Sequence, residues 1–138
     1  MLDFAWAADK DYIVKSFDVP QGPKVFLVYQ NNDKTKVWEE AQPYLTKYFQ
    51  LMNDHFGKYA YPTYAFIQGG DGGMEYGMCT MILGEAQNIE GLMGLMAHEG
   101  AHSWYQQMLA TNEPMRPWMD EGFTSYAEGY VMNQLFPP

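Results

Sequence analysis

Residues 97–102 read Ala-His-Glu-Gly-Ala-His, which sets two imidazoles, His98 and His102, four positions apart with the carboxylate of Glu99 directly after the first. In a helix, four residues advance the chain by about 400° and about 6 Å. Both rings then leave one face at a separation that a single ion can bridge. Glu99, turned by about 100° from His98, stands beside such an ion rather than on it. From there its carboxylate can take a proton from a metal-activated water. Zinc, the ion this pattern suits, needs a third protein ligand and keeps its fourth position for water. Glu121, nineteen positions past His102, is the carboxylate placed to supply it, provided that two helices joined by a short turn pack antiparallel. Two neutral imidazoles and one carboxylate would leave the site with a net positive charge, so the ion stays Lewis-acidic and brings the pKa of its water to about 7.

The elements that must position these groups are legible in outline. Val25 to Gln30 is a short β-branched and aromatic run closed by Asn31-Asn32-Asp33, which reads as a strand and a turn. From Lys36 to Phe56, Val37, Trp38, Ala41, Tyr44, Leu45, Tyr48, Phe49 and Met52 recur at three- and four-residue steps, which predicts an amphipathic helix. Pro43 should bend or weaken it near its start, and Gly57 should stop it. Tyr59 to Gln68 reads as a strand, Gly69 to Gly73 as a break, and Met74 to Leu83 as extended chain. Asn88 to Leu109 reads as a largely buried helix carrying both His residues. Its glycines Gly91, Gly94 and Gly100 cost about 1 kcal/mol each relative to Ala, which implies close approach of another element. Asn112-Glu113-Pro114 should turn the chain, and Pro117 should open a last helix running to Leu135. The expectation is a single α+β domain over residues 1–138, with a small mixed sheet, two helices last and the metal ligands on those helices.

Composition narrows the partners. The 138 residues are 47% apolar with 18% charged, a globular balance, and the net charge is −9 with only eight Lys and Arg. Clustered positive charge is missing, which argues against nucleic acid and anionic membrane surfaces as partners and favours cations, including peptides with a free amine. The lone Cys79 excludes an internal disulfide and a cysteine-cluster zinc site; it reads as a small core hydrophobe. No apolar run is long enough to span a bilayer, and the first residues carry no signal-peptide pattern. His55 matches no ligand pattern and reads as structural or exposed.

With these residues in hand, the chain resembles the M1 family of zinc aminopeptidases, of the gluzincin group. The words His98-Glu99-Gly100-Ala101-His102-Ser103-Trp104 and Trp118-Met119-Asp120-Glu121-Gly122-Phe123-Thr124-Ser125-Tyr126 are similar to that family's, and eighteen residues between the second His and the Glu is its spacing. Upstream, Gly72-Gly73-Met74-Glu75-Tyr76 resembles the family's G-[AG]-M-E-N exopeptidase motif, with Tyr76 where Asn is usual. The resemblance implies a thermolysin-like fold with the motif on the edge strand of the cleft. It also implies one Zn2+ held by His98, His102 and Glu121, with Glu99 as general base. Gly72, Gly73, Met74 and Glu75 would bind substrate, the Glu75 carboxylate taking the free α-amine of a peptide. Glu128 and Asp120 would orient the ligands.

The family's transition-state tyrosine lies several dozen residues past the third ligand, and Tyr126 and Tyr130 are too close to match it. The chain is accordingly expected to be part of a catalytic domain, lacking the family's N-terminal β domain and C-terminal helical domain. As such it should bind zinc yet turn over weakly, and it should self-associate through surfaces that other domains would cover. An exported compartment is expected over the cytoplasm. Two other functions compete: a gluzincin endopeptidase or other hydrolase, and a non-catalytic interaction module.

Overall fold

The computed structural model describes residues 4–70 and 72–138; Met1 to Asp3 and Asp71, the last within the predicted glycine-rich break, lie outside the described residues. Five strands form one mixed sheet, β1 (Tyr12–Asp18), β2 (Lys24–Gln30), β3 (Thr63–Gln68), β4 (Gly73–Tyr76) and β5 (Cys79–Ile82), in the order β1-β2-β3-β5-β4. The helices are α1 (Ala41–Phe56), α2 (Ile89–His102) and α3 (Pro117–Leu135). The α+β expectation holds, with β2 parallel to β3 and β3 parallel to β5, while β1 and β4 close the two edges antiparallel. α1 is the crossover between parallel β2 and β3, so helix and strand alternate here rather than separating along the chain.

The core lies between one face of the sheet and the three helices. On β2, Val25, Leu27 and Tyr29 are fully buried while Phe26 and Val28 between them are partly exposed, the period of a strand packed on one face. α1 answers with Ala41, Leu45, Tyr48, Phe49 and Met52, all fully buried, at the helical period that the sequence displays. Leu45, Phe49 and Met52 each contribute roughly 1.5–3 kcal/mol through burial. Phe49 meets Tyr59, Tyr64 and Trp104 with ring centroids 5.7, 5.8 and 6.0 Å apart, which binds the sheet, α1 and the chain after α2 into one aromatic cluster.

Several boundaries differ from those expected, each for a local reason. β1 goes unread in the sequence because it is an edge strand with weak alternation: Val14 is exposed, and only Ile13 and Phe17 pack against the core. The stretch before α1 is a 3-10 turn (Lys36–Glu40) that buries Trp38, whose indole N–H donates to the Gly84 carbonyl at 2.8 Å. Pro43 falls in the first turn of α1, where its missing N–H has no intrahelical partner to lose. Gly57, at φ +106°, ends that helix as expected. β3 starts only at Thr63, since Pro62 cannot donate to a ladder. Met74 to Leu83 is a hairpin and not one extended run: Tyr76 pairs with Cys79 across a two-residue turn in which Met78 takes φ +62°.

α2 is capped by the Asn88 side chain, which accepts from the Gly91 N–H at 2.9 Å. It ends at His102, not Leu109, and continues as a π-helical segment over Ser103–Met108. Trp104 anchors that segment by donating to the Gly57 carbonyl at 2.6 Å. Pro117 is the first residue of α3 as expected. Among the described residues no helix is long and apolar enough to cross a membrane.

Candidate metal centre

Contacts between α2 and α3 run in opposite directions along the two helices. His98 meets Glu128, while His102, one turn on, meets Asp120 and Thr124, one to two turns back. The helices are therefore antiparallel, and this brings His98, His102 and Glu121 together with one donor atom from each within 4.8 Å of the others. Glu121 Oε2 stands 3.3 Å from His98 Nε2 and 3.8 Å from His102 Nε2. Ligand atoms about 2 Å from a tetrahedral ion are separated by roughly 3.3 Å, so the three groups suit one such ion.

The other ring nitrogens strengthen this fit. His102 Nδ1 is 2.7 Å from Asp120 Oδ1, with His102 and Asp120 at most 1% exposed. His98 Nδ1 is 2.9 Å from Glu128 Oε2 in a half-exposed setting. A carboxylate on Nδ1 keeps the proton there, leaves the Nε2 lone pair facing Glu121, and makes the ring a better donor to a metal. Burial opposes charge on His98, but the Glu128 carboxylate outweighs it and, with Glu99 and Glu121, holds the His98 pKa above the usual value.

Glu99 is buried beside the pair, within reach of both His102 and Glu75. Burial pushes its pKa up, the two His residues pull it down, and Glu75 and Glu121 push it up again. A carboxylate lifted this way is a better proton acceptor at neutral pH. Its position depends on Gly73: a Cβ there would overlap Glu99 Oε1 and crowd Leu95. Thus the glycine of the β4 edge gives space to the carboxylate of α2.

Of the three α2 glycines, only Gly100 meets another element at close range, its Cβ position lying 2.7 Å from the Tyr48 hydroxyl of α1. That hydroxyl donates to the Ala97 carbonyl at 3.3 Å. Gly94 has only ordinary contact with Met132 and Gly91 meets its own cap, so the close approach expected at all three occurs at one.

β4 is the sheet edge, with Gly73 and Met74 exposed and Gly72 accepting from the Leu83 N–H at 3.0 Å. Glu75 points inward instead and is only 7% exposed. Burial raises its pKa, and Asp120 and Glu113 add to the rise while His102 opposes it. Two of its neighbours carry no signal in the sequence: Gln106, on the π-helical segment, donates to Glu75 Oε1 at 3.3 Å and to Glu113 Oε2 at 2.6 Å. His55 is exposed and bonded to the Tyr130 hydroxyl, and Cys79 is buried in β5.

No protein-family profile matches the chain. Aminopeptidase M1-B of Oryza sativa subsp. japonica is 29% identical over 141 residues, 92% of this chain but 16% of the plant protein. An aminopeptidase N family protein of Idiomarina loihiensis superposes with a TM-score of 0.67 at 20% identity, covering 91% of this chain and 26% of that one. An M1 zinc metallopeptidase of Deinococcus radiodurans, crystallised as a variant bound to a Tyr-Ser-Ala substrate, gives 0.70 at 18% identity, over 92% and 29%. The chain resembles M1 aminopeptidases in sequence and in fold. It spans about one sixth of the plant relative and under a third of the two bacterial structures. The five-stranded sheet, its β4 edge and the α2–α3 pair are therefore features of an M1-like fold.

Proposed function

We propose that this chain is the zinc-binding part of an M1-type aminopeptidase catalytic domain, and that the protein removes N-terminal residues from peptides. The observation that carries the reading is the Nε2, Nε2, Oε2 cluster of His98, His102 and Glu121 with a carboxylate on each Nδ1. A zinc ion held there supplies a Lewis acid and lowers the pKa of a water to about 7. Glu99, buried and raised in pKa, accepts a proton beside it and can return that proton to the leaving amine. Asp120 and Glu128 hold the imidazoles in the tautomer that binds metal.

Directly beside the imidazole pair, β4 offers exposed backbone at Gly73 and Met74 for an extended peptide to pair with. Glu75, reached by the same edge, is the carboxylate for the peptide's α-ammonium. The similarity of sequence to a plant aminopeptidase favours this over an endopeptidase. The intact ligand set and Glu99 favour it over a non-catalytic module. Tyr130 is engaged by His55 and packs on Phe56, which supports a packing role for it.

The experiment is a pair of substrates assayed with the longest natural form of the protein: an aminoacyl anilide with a free amine and its acetylated counterpart. The free-amine substrate should be cleaved, with Glu75→Ala and Glu99→Gln each lowering kcat/KM by at least about a hundredfold. Cleavage of the acetylated substrate at an equal rate would overturn the exopeptidase assignment.

A further inference from the structure

The helix widens to a π-turn directly after His102, and this segment carries two glutamines, Gln106 and Gln107, each 5% exposed. Such turns are rare and often mark functional sites. Buried amides need partners, and here the partners lead to the β4 edge. Gln107 Nε2 donates to Gln106 Oε1 at 2.7 Å. Gln106 Nε2 has one hydrogen for each of two carboxylates, Glu113 Oε2 at 2.6 Å and Glu75 Oε1 at 3.3 Å. The opposite orientation of the Gln106 amide would set its oxygen against both carboxylates, so the network fixes the one observed. Lys15, Lys34 and Lys36 pair with Glu39, Glu85 and Asp33, and among the described residues no Lys or Arg pairs with Glu75 or Glu113.

We propose that Gln106 is a positioning residue for amine recognition: its neutral amide holds the Glu75 carboxylate by Oε1 and leaves the charge of Glu75 for the α-ammonium of a peptide. The assignment rests on Glu75 being the amine-binding carboxylate of the peptidase reading. An amide suits the task where a cation does not. Lys or Arg at this position would also donate, but its full charge would satisfy Glu75, and the substrate amine would have to displace it. An apolar side chain would leave a buried carboxylate without its side-chain donor. Glu113 braces the amide from the loop before α3, its bond being the shorter of the two. Glu75 also lies within 4.8 Å of Glu99 and His102, atom to atom. The contact that fixes its carboxylate therefore fixes where a bound amine stands relative to the imidazole centre.

The test is calorimetric titration of the full chain, loaded with one equivalent of zinc, with phenylalaninamide and with its N-acetyl counterpart, which lacks the ammonium. The parent should bind the free amine at least about tenfold more tightly than the acetylated compound, as a charge-assisted contact implies. Gln106→Met, of similar length but without a donor, should reduce that ratio at least about fivefold, with zinc stoichiometry at the parent's value. In a Glu75→Ala background the same substitution should change the ratio by less than about twofold, because Gln106 acts through Glu75. A ratio unchanged in Gln106→Met, or one that falls equally with and without Glu75, would overturn the assignment. So would a parent that does not distinguish the two compounds. Where Gln106→Met unfolds, Gln106→Asn, whose shorter stem withdraws the amide, is read in the same way. Binding requires no turnover. A protein that binds as expected yet cleaves no aminoacyl anilide would refute the peptidase reading and leave the positioning of Glu75 standing, and cleavage with an unchanged ratio would do the reverse.

Discussion

Replacing Asp120 separates metal orientation from simple packing. His102 and Asp120 are at most 1% exposed and 2.7 Å apart, and the Thr124 hydroxyl, 3.5 Å from the same Nδ1, is the nearest substitute. Asp120→Ala therefore leaves a buried imidazole N–H with a weak partner, at a cost of roughly 1–3 kcal/mol in stability. The ring also loses the carboxylate that keeps Nε2 toward the ion, a change that typically weakens metal binding 10- to 100-fold, about 1.4–2.7 kcal/mol. Asp120→Asn retains an acceptor of the same shape and should fall between parent and Ala. Glu128→Gln acts on His98, whose side chain is 25% exposed beside a carboxylate that is 34% exposed, so water can replace the lost contact. Its effect should stay below about threefold. The assay is zinc competition against a chromophoric chelator at pH 7.5, with Tm recorded for each variant. Zinc affinity for Asp120→Ala within about threefold of the parent, or a larger loss for Glu128→Gln than for Asp120→Ala, would refute the assignment of Asp120 as the orienting group.

Three further outcomes follow from the same geometry. Gly100→Ala should fail to deliver the roughly 1 kcal/mol that Ala normally adds to a helix, because its Cβ meets the Tyr48 hydroxyl; overpacking of about 1–3 kcal/mol makes it destabilising. Combining it with Tyr48→Phe should recover part of that loss, and additive effects in urea unfolding would count against the contact. Chelation of zinc should lower the Tm of the chain, since an ion present at about a thousand times its Kd stabilises the native state by about 4 kcal/mol; an unchanged Tm in excess chelator would mean that these residues hold no ion. Glu99→Gln should leave zinc affinity within about threefold while lowering any aminopeptidase turnover by at least about a hundredfold, a split that a metal ligand would not show.

The sequence by itself determined that His98 and His102 come to one face, because the 3.6-residue period is a local property of the chain. Once residues 89–102 are helical, His98 and His102 must share a face, and Pro117 announces the helix that brings Glu121. The β4 edge was legible only through the resemblance of Gly72-Gly73-Met74-Glu75-Tyr76 to a family motif, and the pairing of the strands places it at the end of the sheet. Asp120 and Glu128 could be suspected as partners, but which imidazole each takes follows only from the antiparallel packing of α3 on α2. Burial of Glu75 and its meeting with Gln106 and Glu113 depend on the helix widening to a π-turn after His102 and on where the next loop returns. Nothing in the type or spacing of those residues encodes either. A helix period is settled within four residues, whereas a contact across 31 or more positions, such as Gln106 with Glu75, exists only after the sheet, α2 and the loop before α3 have packed together.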